Sequence, residues 1–149
     1  MKVSLRATYG IMAAVDLAMR LGTGPVQAKS IARRQAIPAR FLEQVLHGMK
    51  KAGLVSSVRG AQGGYVLTKK PSELSIAEIL EALDGPLSLI NGGVGRAQGR
   101  RLSKPELLLG KVWEQVYQAE RHVLEAINVE ELAGQQRILE QERALMYHI

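Results

Sequence analysis

The sequence predicts a mainly α chain: three helices, a two-stranded β-hairpin, a short helix, then a long helix with more helix behind it. Three observations predict this. Apolar residues recur every three to four positions along most of the 149 residues. Two β-prone runs, Val55-Ser56-Ser57-Val58 and Tyr65-Val66-Leu67-Thr68, flank the glycine-rich stretch "RGAQGG", which permits a hairpin loop. Aromatics make up only 4% of a chain that is 46% hydrophobic, so its core is aliphatic, as suits helices.

The elements follow in order. From about Ser4 to Leu21, Ala7, Ile11, Ala14, Val15, Leu17 and Ala18 keep helical spacing, and "GTGP" ends the run. A second helix spans roughly 28–35, with Ile31 and Ala32 inward and Lys29, Arg33 and Arg34 outward. "AIP" breaks the chain, and Pro38 suits the first turn of a third helix, where its missing N–H has no intrahelical partner. That helix runs to about Ala52 with Phe41, Leu42, Val45, Leu46 and Met49 as its apolar face, and Gly53 can cap it. Ser75 and Glu78 have capping-box spacing and open a short helix over about 76–83. A glycine- and arginine-rich loop follows, with Arg96, Arg100, Arg101 and Lys104. Ser103 and Glu106 repeat the capping spacing and open a long helix to about Ile127. Asn128 and Glu131 can cap a last helix, polar and weakly amphipathic, which either folds back on a partner subunit or frays.

Composition excludes several classes of function. There is no cysteine, hence no disulfide, thiolate zinc site, cysteine-held iron–sulphur cluster or thiol switch. No apolar run approaches the ~20 residues that span a bilayer, and the N-terminus lacks a signal-peptide pattern, so a cytoplasmic location without membrane contact is expected. The net charge is +6 and unevenly spread. Residues 1–70 hold twelve Lys/Arg against Asp16 and Glu43, a balance of +10, while residues 71–149 hold eight against twelve acidic groups, a balance of −4. The first half is suited to a polyanion.

Two short helices joined by a tight turn and followed by a β-hairpin make a winged helix-turn-helix. In such a unit the third helix enters the major groove of duplex DNA. Its outward residues Arg40, Glu43, Gln44 and His47 include types that read base edges: Arg for guanine, Gln for adenine, Glu for cytosine. The same residues on a lone helix would be an ordinary solvated face; the basic helix before them and the wing after them favour DNA. The long helix carries Leu109, Val112, Val116, Ala119, Val123 and Ile127, widened by Trp113, Tyr117 and Leu124. A small winged domain cannot cover such a stripe alone, which points to a two-fold dimer through Leu109, Val112, Trp113, Val116, Val123 and Ile127.

No catalytic or metal constellation is found. His47, His122 and His148 are isolated, and no serine has a His/Asp pattern around it. "GGVGRAQG" lacks the Gly-Lys-Ser/Thr ending of a phosphate loop and follows no clear strand. The chain is expected not to be an enzyme and to need no cofactor or metal.

The stretches "RATYGIMAAVDLA" and "SIARRQAIPARFLEQVLHGMKKAGLVSSVRGAQGGYVLTKKPSELSIAEILEALDGPL", with the long helix behind them, resemble the Rrf-two family of bacterial transcription regulators. The resemblance is close over about residues 1–87 and extends to the long helix by pattern. The pairing of "IPxxFLEQ" with "GLVxSVRGxxGGYxL" carries its specificity. It implies a homodimer on pseudo-palindromic promoter DNA, with Arg40, Glu43 and Gln44 at the major groove and Arg59, with Gly60, in the minor groove. An inserted guanidinium reads a narrow minor groove through its concentrated negative potential. Ser57, Gln62 and Tyr65 would support these contacts, and Lys29, Arg33 and Arg34 would meet phosphates, each adding roughly 0.9 to the logarithmic salt slope.

Cluster-binding members of that family carry three cysteines in the loop before the dimer helix, and here that loop has none. A family-type cluster is therefore not expected. The loop is either a remnant or close to DNA; binding of a small anion or of a partner protein are the other options. Cysteine-metabolism repressors of the family also lack the cluster and respond through a partner enzyme, so the possible effectors include a co-regulator protein or a small ligand. The chain divides into a winged helix-turn-helix domain at 1–84, the loop at 85–104, and the dimerisation and C-terminal helices at 105–149. The function expected is that of a sequence-specific transcription regulator. The alternative is a winged-helix protein-interaction adaptor that binds DNA only non-specifically.

Overall fold

Helix α1 spans Leu5–Met19 because Ser4 caps it: the Ser4 hydroxyl accepts from Ala7 N–H at 2.9 Å and is itself held by Asp84 across the domain. The structure is a computed structural model describing residues 1–87 and 101–148. Helix α2 (Ala28–Gln35) ends at Ala36, which adopts the left-handed conformation at φ 53°. That residue makes the tight turn, and Pro38 lies at the N-cap of α3 (Ala39–Lys51), one position before the first helical residue. Helix α3 closes in a Schellman motif: Leu54 N–H reaches Met49 O at 2.9 Å and Gly53 N–H reaches Lys50 O at 3.0 Å, with Gly53 at φ +78°.

Strands β1 (Val55–Val58) and β2 (Gly64–Leu67) pair antiparallel from Val55↔Leu67 to Val58↔Gly64. A 3-10 turn at Pro71–Glu73 leads into α4 (Ile76–Asp84). Ser75 caps α4 through Glu78 N–H, but the Glu78 carboxylate turns to Lys69 instead of completing the box. At Ser103 the box is complete and opens α5 (Lys104–Ala126). Helix α6 (Val129–Tyr147) starts at the Asn128 cap.

One aliphatic core joins these pieces. It takes Ala7, Ala14 and Leu17 from α1, Leu42, Val45, Leu46 and Met49 from α3, and Ile79, Leu80 and Leu83 from α4. Tyr9 of α1 meets Phe41 of α3 edge-on with ring centroids 5.3 Å apart. The last helix neither frays at its start nor waits for a partner there: Val129 and Ala133 are buried in the same core, and α6 packs along α1. From Arg137 onward its residues are exposed.

Asp16 is fully buried and ties α1 to the end of α2. Arg34 meets it through a two-bond fork, Nε to Oδ2 at 3.0 Å and Nη2 to Oδ1 at 2.8 Å, and Gln35 Nε2 adds a third bond at 3.0 Å. Arg20 stands farther off at 3.4 Å. A buried carboxylate is tolerated only with such partners.

Candidate nucleic-acid interface

Helix α3 buries Leu42, Val45, Leu46 and Met49 and so turns Arg40, Glu43, Gln44 and His47 to solvent. These four line one open concavity, and Arg6 from α1 joins them. Gly48 gives Arg6 room, since a Cβ there would stand a tight 3.0 Å from Arg6 Nη2 and 3.1 Å from Leu83 Cδ2. Arg6 was not among the candidates from sequence. It falls in a helix whose periodicity marks only a core face, and its nearness to α3 is a matter of helix packing. Its one legible signal is membership of the basic first half.

The wing is held by backbone geometry. Gly64 (φ +151°) lies so close to Val26 that a Cβ would meet its carbonyl carbon at 2.4 Å, and one at Gly63 would meet Val58 O at 2.1 Å. Glycine is required at both places. Val26 and Tyr65 exchange two hydrogen bonds, 3.0 and 2.8 Å, which attach the wing to the segment before α2. Arg59 and Gly60 follow β1 directly and are exposed, as are Ser57 and Gln62. The Ser57 hydroxyl accepts from Lys50 Nζ at 2.7 Å, tying β1 to the end of α3. Gln62, with Gln27, Ser30 and Arg34, lines a cleft between the wing loop and α2.

The structure brings Arg40, Glu43 and Gln44 together on one face, leaves Lys29 and Arg33 exposed, and puts Arg59 on the wing. Three of the expected residues also make contacts within the chain. Arg34 is exposed as expected, but Asp16 engages its Nε and Nη2. That hydrogen bond raises its pKa above the ordinary value, against a smaller opposing effect of burial. Tyr65 is half-buried, packs on the core and lines a pocket under the wing, and its backbone N–H and carbonyl both pair with Val26. Ile127 does not share the open face of α5: its carbonyl accepts from Ile76 N–H at 3.0 Å, and its side chain packs on the chain's own core. The remaining stripe residues, Leu109, Val112, Trp113, Val116 and Val123, are 44–56% exposed, and α5 buries none of its residues in the described chain.

A helix-turn-helix whose third helix offers a polar, partly cationic face, followed by a glycine-shaped wing bearing arginine, defines a winged-helix DNA-binding protein. The family model described as "Rrf2: Iron-dependent Transcriptional regulator" matches residues 3–135. The chain belongs to that family, the one its motifs resemble. It is 34% identical over 134 residues to the HTH-type transcriptional regulator CymR of Bacillus subtilis, covering 90% of this chain and 91% of that protein. It is 34% identical over 142 residues to the HTH-type regulator IscR of Photorhabdus laumondii, covering 94% and 84%. The solved structure of CymR, the global cysteine regulator of B. subtilis, superposes with a TM-score of 0.75 at 33% identity, covering 90% of this chain and 97% of that one. IscR of T. potens gives 0.72 at 35% identity, with 91% and 88% covered. This chain is thus a DNA-binding transcription regulator and not an enzyme.

The family's description names iron, and the residues present do not fit a cysteine-held cluster. The chain has no cysteine, and residues 88–100 hold no His, Asp or Glu either. Among the described residues, no three His, Cys, Asp or Glu groups stand together so as to hold a metal. The arginines at 96 and 100 fall outside the described residues. No helix among the described residues is long and apolar enough to cross a membrane.

Proposed function

We propose that the chain acts as a homodimer on a pseudo-palindromic promoter duplex, and that it reads the duplex without a cluster. The observation that carries this reading is the exposed concavity on α3, where Arg6, Arg40, Glu43, Gln44 and His47 converge. Side chains of these types, presented by a helix that fits the major groove, discriminate base edges. Arg59, with Gly60, enters the flanking minor groove, with Ser57 and Gln62 beside it. Lys29 and Arg33 meet phosphates. The uncovered face of α5, which includes Leu108 and Leu109 as well as Trp113 and Val116, is the dimer contact, because an apolar patch of that length is otherwise left in water. A two-fold axis through it sets two recognition helices on two half-sites.

Capture of genomic DNA fragments by the purified protein, at near-physiological salt, tests this reading. Wild type should recover a palindromic motif, and Arg59→Ala should lose it, with roughly 1–3 kcal/mol of affinity gone for a base-reading contact. Recovery of no motif by wild type, alone or in cell extract, would leave the adaptor alternative instead.

A further inference from the structure

Under the wing, between the end of α1 and strand β2, lies a half-open pocket of about 240 Å³. Its walls are Leu17, Leu21, Val26 and Leu67, and two polar side chains, Arg20 and Tyr65, join them. Nothing in the DNA reading uses it. Apolar walls with a few convergent polar groups are the usual make-up of a small-molecule site, and this volume is just below the ~300–1,000 Å³ common for drug-sized ligands.

The charge balance at its mouth points to the ligand. Asp16 is one carboxylate facing two guanidiniums. Arg34 takes it with a short fork, and Gln35 occupies Oδ2 as well. Arg20 is left with long contacts of 3.4 Å to Oδ2 and to the Asp16 carbonyl, and about a third of its side chain is exposed. It retains donors and a positive charge for a second anion. Tyr65 lines the same pocket.

We propose that this pocket binds a small amphipathic carboxylate. Its tail lies against Leu17, Leu21, Val26 and Leu67, and its carboxylate accepts from Arg20 and Tyr65. The wing responds to occupancy, because Tyr65 is also the residue whose backbone joins β2 to Val26 by two hydrogen bonds, with Gly64 pressed against the Val26 carbonyl. A ligand at Tyr65 therefore bears on the strand that follows the Arg59 loop. Only this last step rests on the DNA reading; binding itself does not.

The test titrates the full-length protein with hexanoate, and with hexanamide as its uncharged match, following the methyl resonances of Leu17, Leu21, Val26 and Leu67. Hexanoate should shift them saturably. Hexanamide should bind about tenfold more weakly or worse, as expected on loss of a charge-assisted bond. Arg20→Gln should abolish that preference. Because Arg20 also touches Asp16, Leu21→Glu is the second variant: it sets a negative charge at an exposed lining position that does not itself bond Asp16, and should exclude hexanoate from a folded protein. Hexanoate should also change the affinity of wild type for DNA and leave that of Leu21→Glu unchanged. Equal binding of acid and amide, no saturable shift at millimolar concentration, or shifts confined to α5 would each overturn the site. Binding without any effect on DNA affinity would overturn the coupling. Absence of DNA binding before any ligand is added would count against the regulator mechanism and not against the pocket.

Discussion

Arg6 and Asp16 show how single residues divide between reading DNA and holding the reader in place. Arg6 reaches the α3 concavity from another helix, and its guanidinium is exposed. Arg6→Ala should weaken DNA binding with little change in stability. If its contact is a phosphate, the logarithmic salt slope should fall by about 1; titration by fluorescence anisotropy across salt concentrations measures both. Asp16 has the opposite profile, fully buried beneath its guanidinium partners. Asp16→Ala should cost roughly 1–3 kcal/mol, because Arg34 and Gln35 lose their acceptor at a buried site; chemical denaturation reads that loss. Helical phase alone turns Arg34 outward, yet its side chain reaches back to α1. Sequence spacing reports which way a Cβ points, not where a long side chain ends.

At the scale of elements, boundaries follow capping chemistry that is readable residue by residue. Ser4, Ser75, Ser103 and Asn128 each accept a backbone N–H at a helix start. The wing depends on its glycines in a way that composition only hints at. Gly64→Ala would press a Cβ into the Val26 carbonyl at a strained φ, separating β2 from Val26. It should lower stability by about 1–3 kcal/mol and release hydrogen-exchange protection at Val26 and Tyr65 before the rest of the core. Protection that stays uniform in this variant would show the wing to be less tightly coupled. The last helix was legible as a helix and not as a core element, because its packing surface is only Val129 and Ala133 with a few half-buried neighbours. Two buried positions in nineteen make no visible periodicity.

The whole molecule has a basic half that carries the reading surface and an acidic half with an uncovered apolar helix face. The α5 face should form the subunit contact, so Val116→Asp should convert a sedimenting dimer to a monomer at micromolar concentration. That variant should also lose most specific DNA affinity, since two half-sites are no longer bound together. Helix α5 touches the core that positions α3 only through half-buried Tyr117 and Leu124 and contributes no fully buried residue, so the monomer should keep its helical content.

The sequence by itself determined the helix order, the wing, the absence of cysteine chemistry and the charge asymmetry, because periodicity, turn residues and composition are local properties of the chain. Most of the polar face of α3 was legible for the same reason: burying four apolar positions of one helix leaves the others outside. Tertiary structure alone decided the rest. It brought Arg6 to the recognition face, drew Arg34 onto Asp16, turned Tyr65 to the pocket under the wing and packed Ile127 on its own domain. Each of these depends on where a second element, distant in sequence, comes to rest. Close packing of helices and strands sets that position, and no spacing along one segment encodes it.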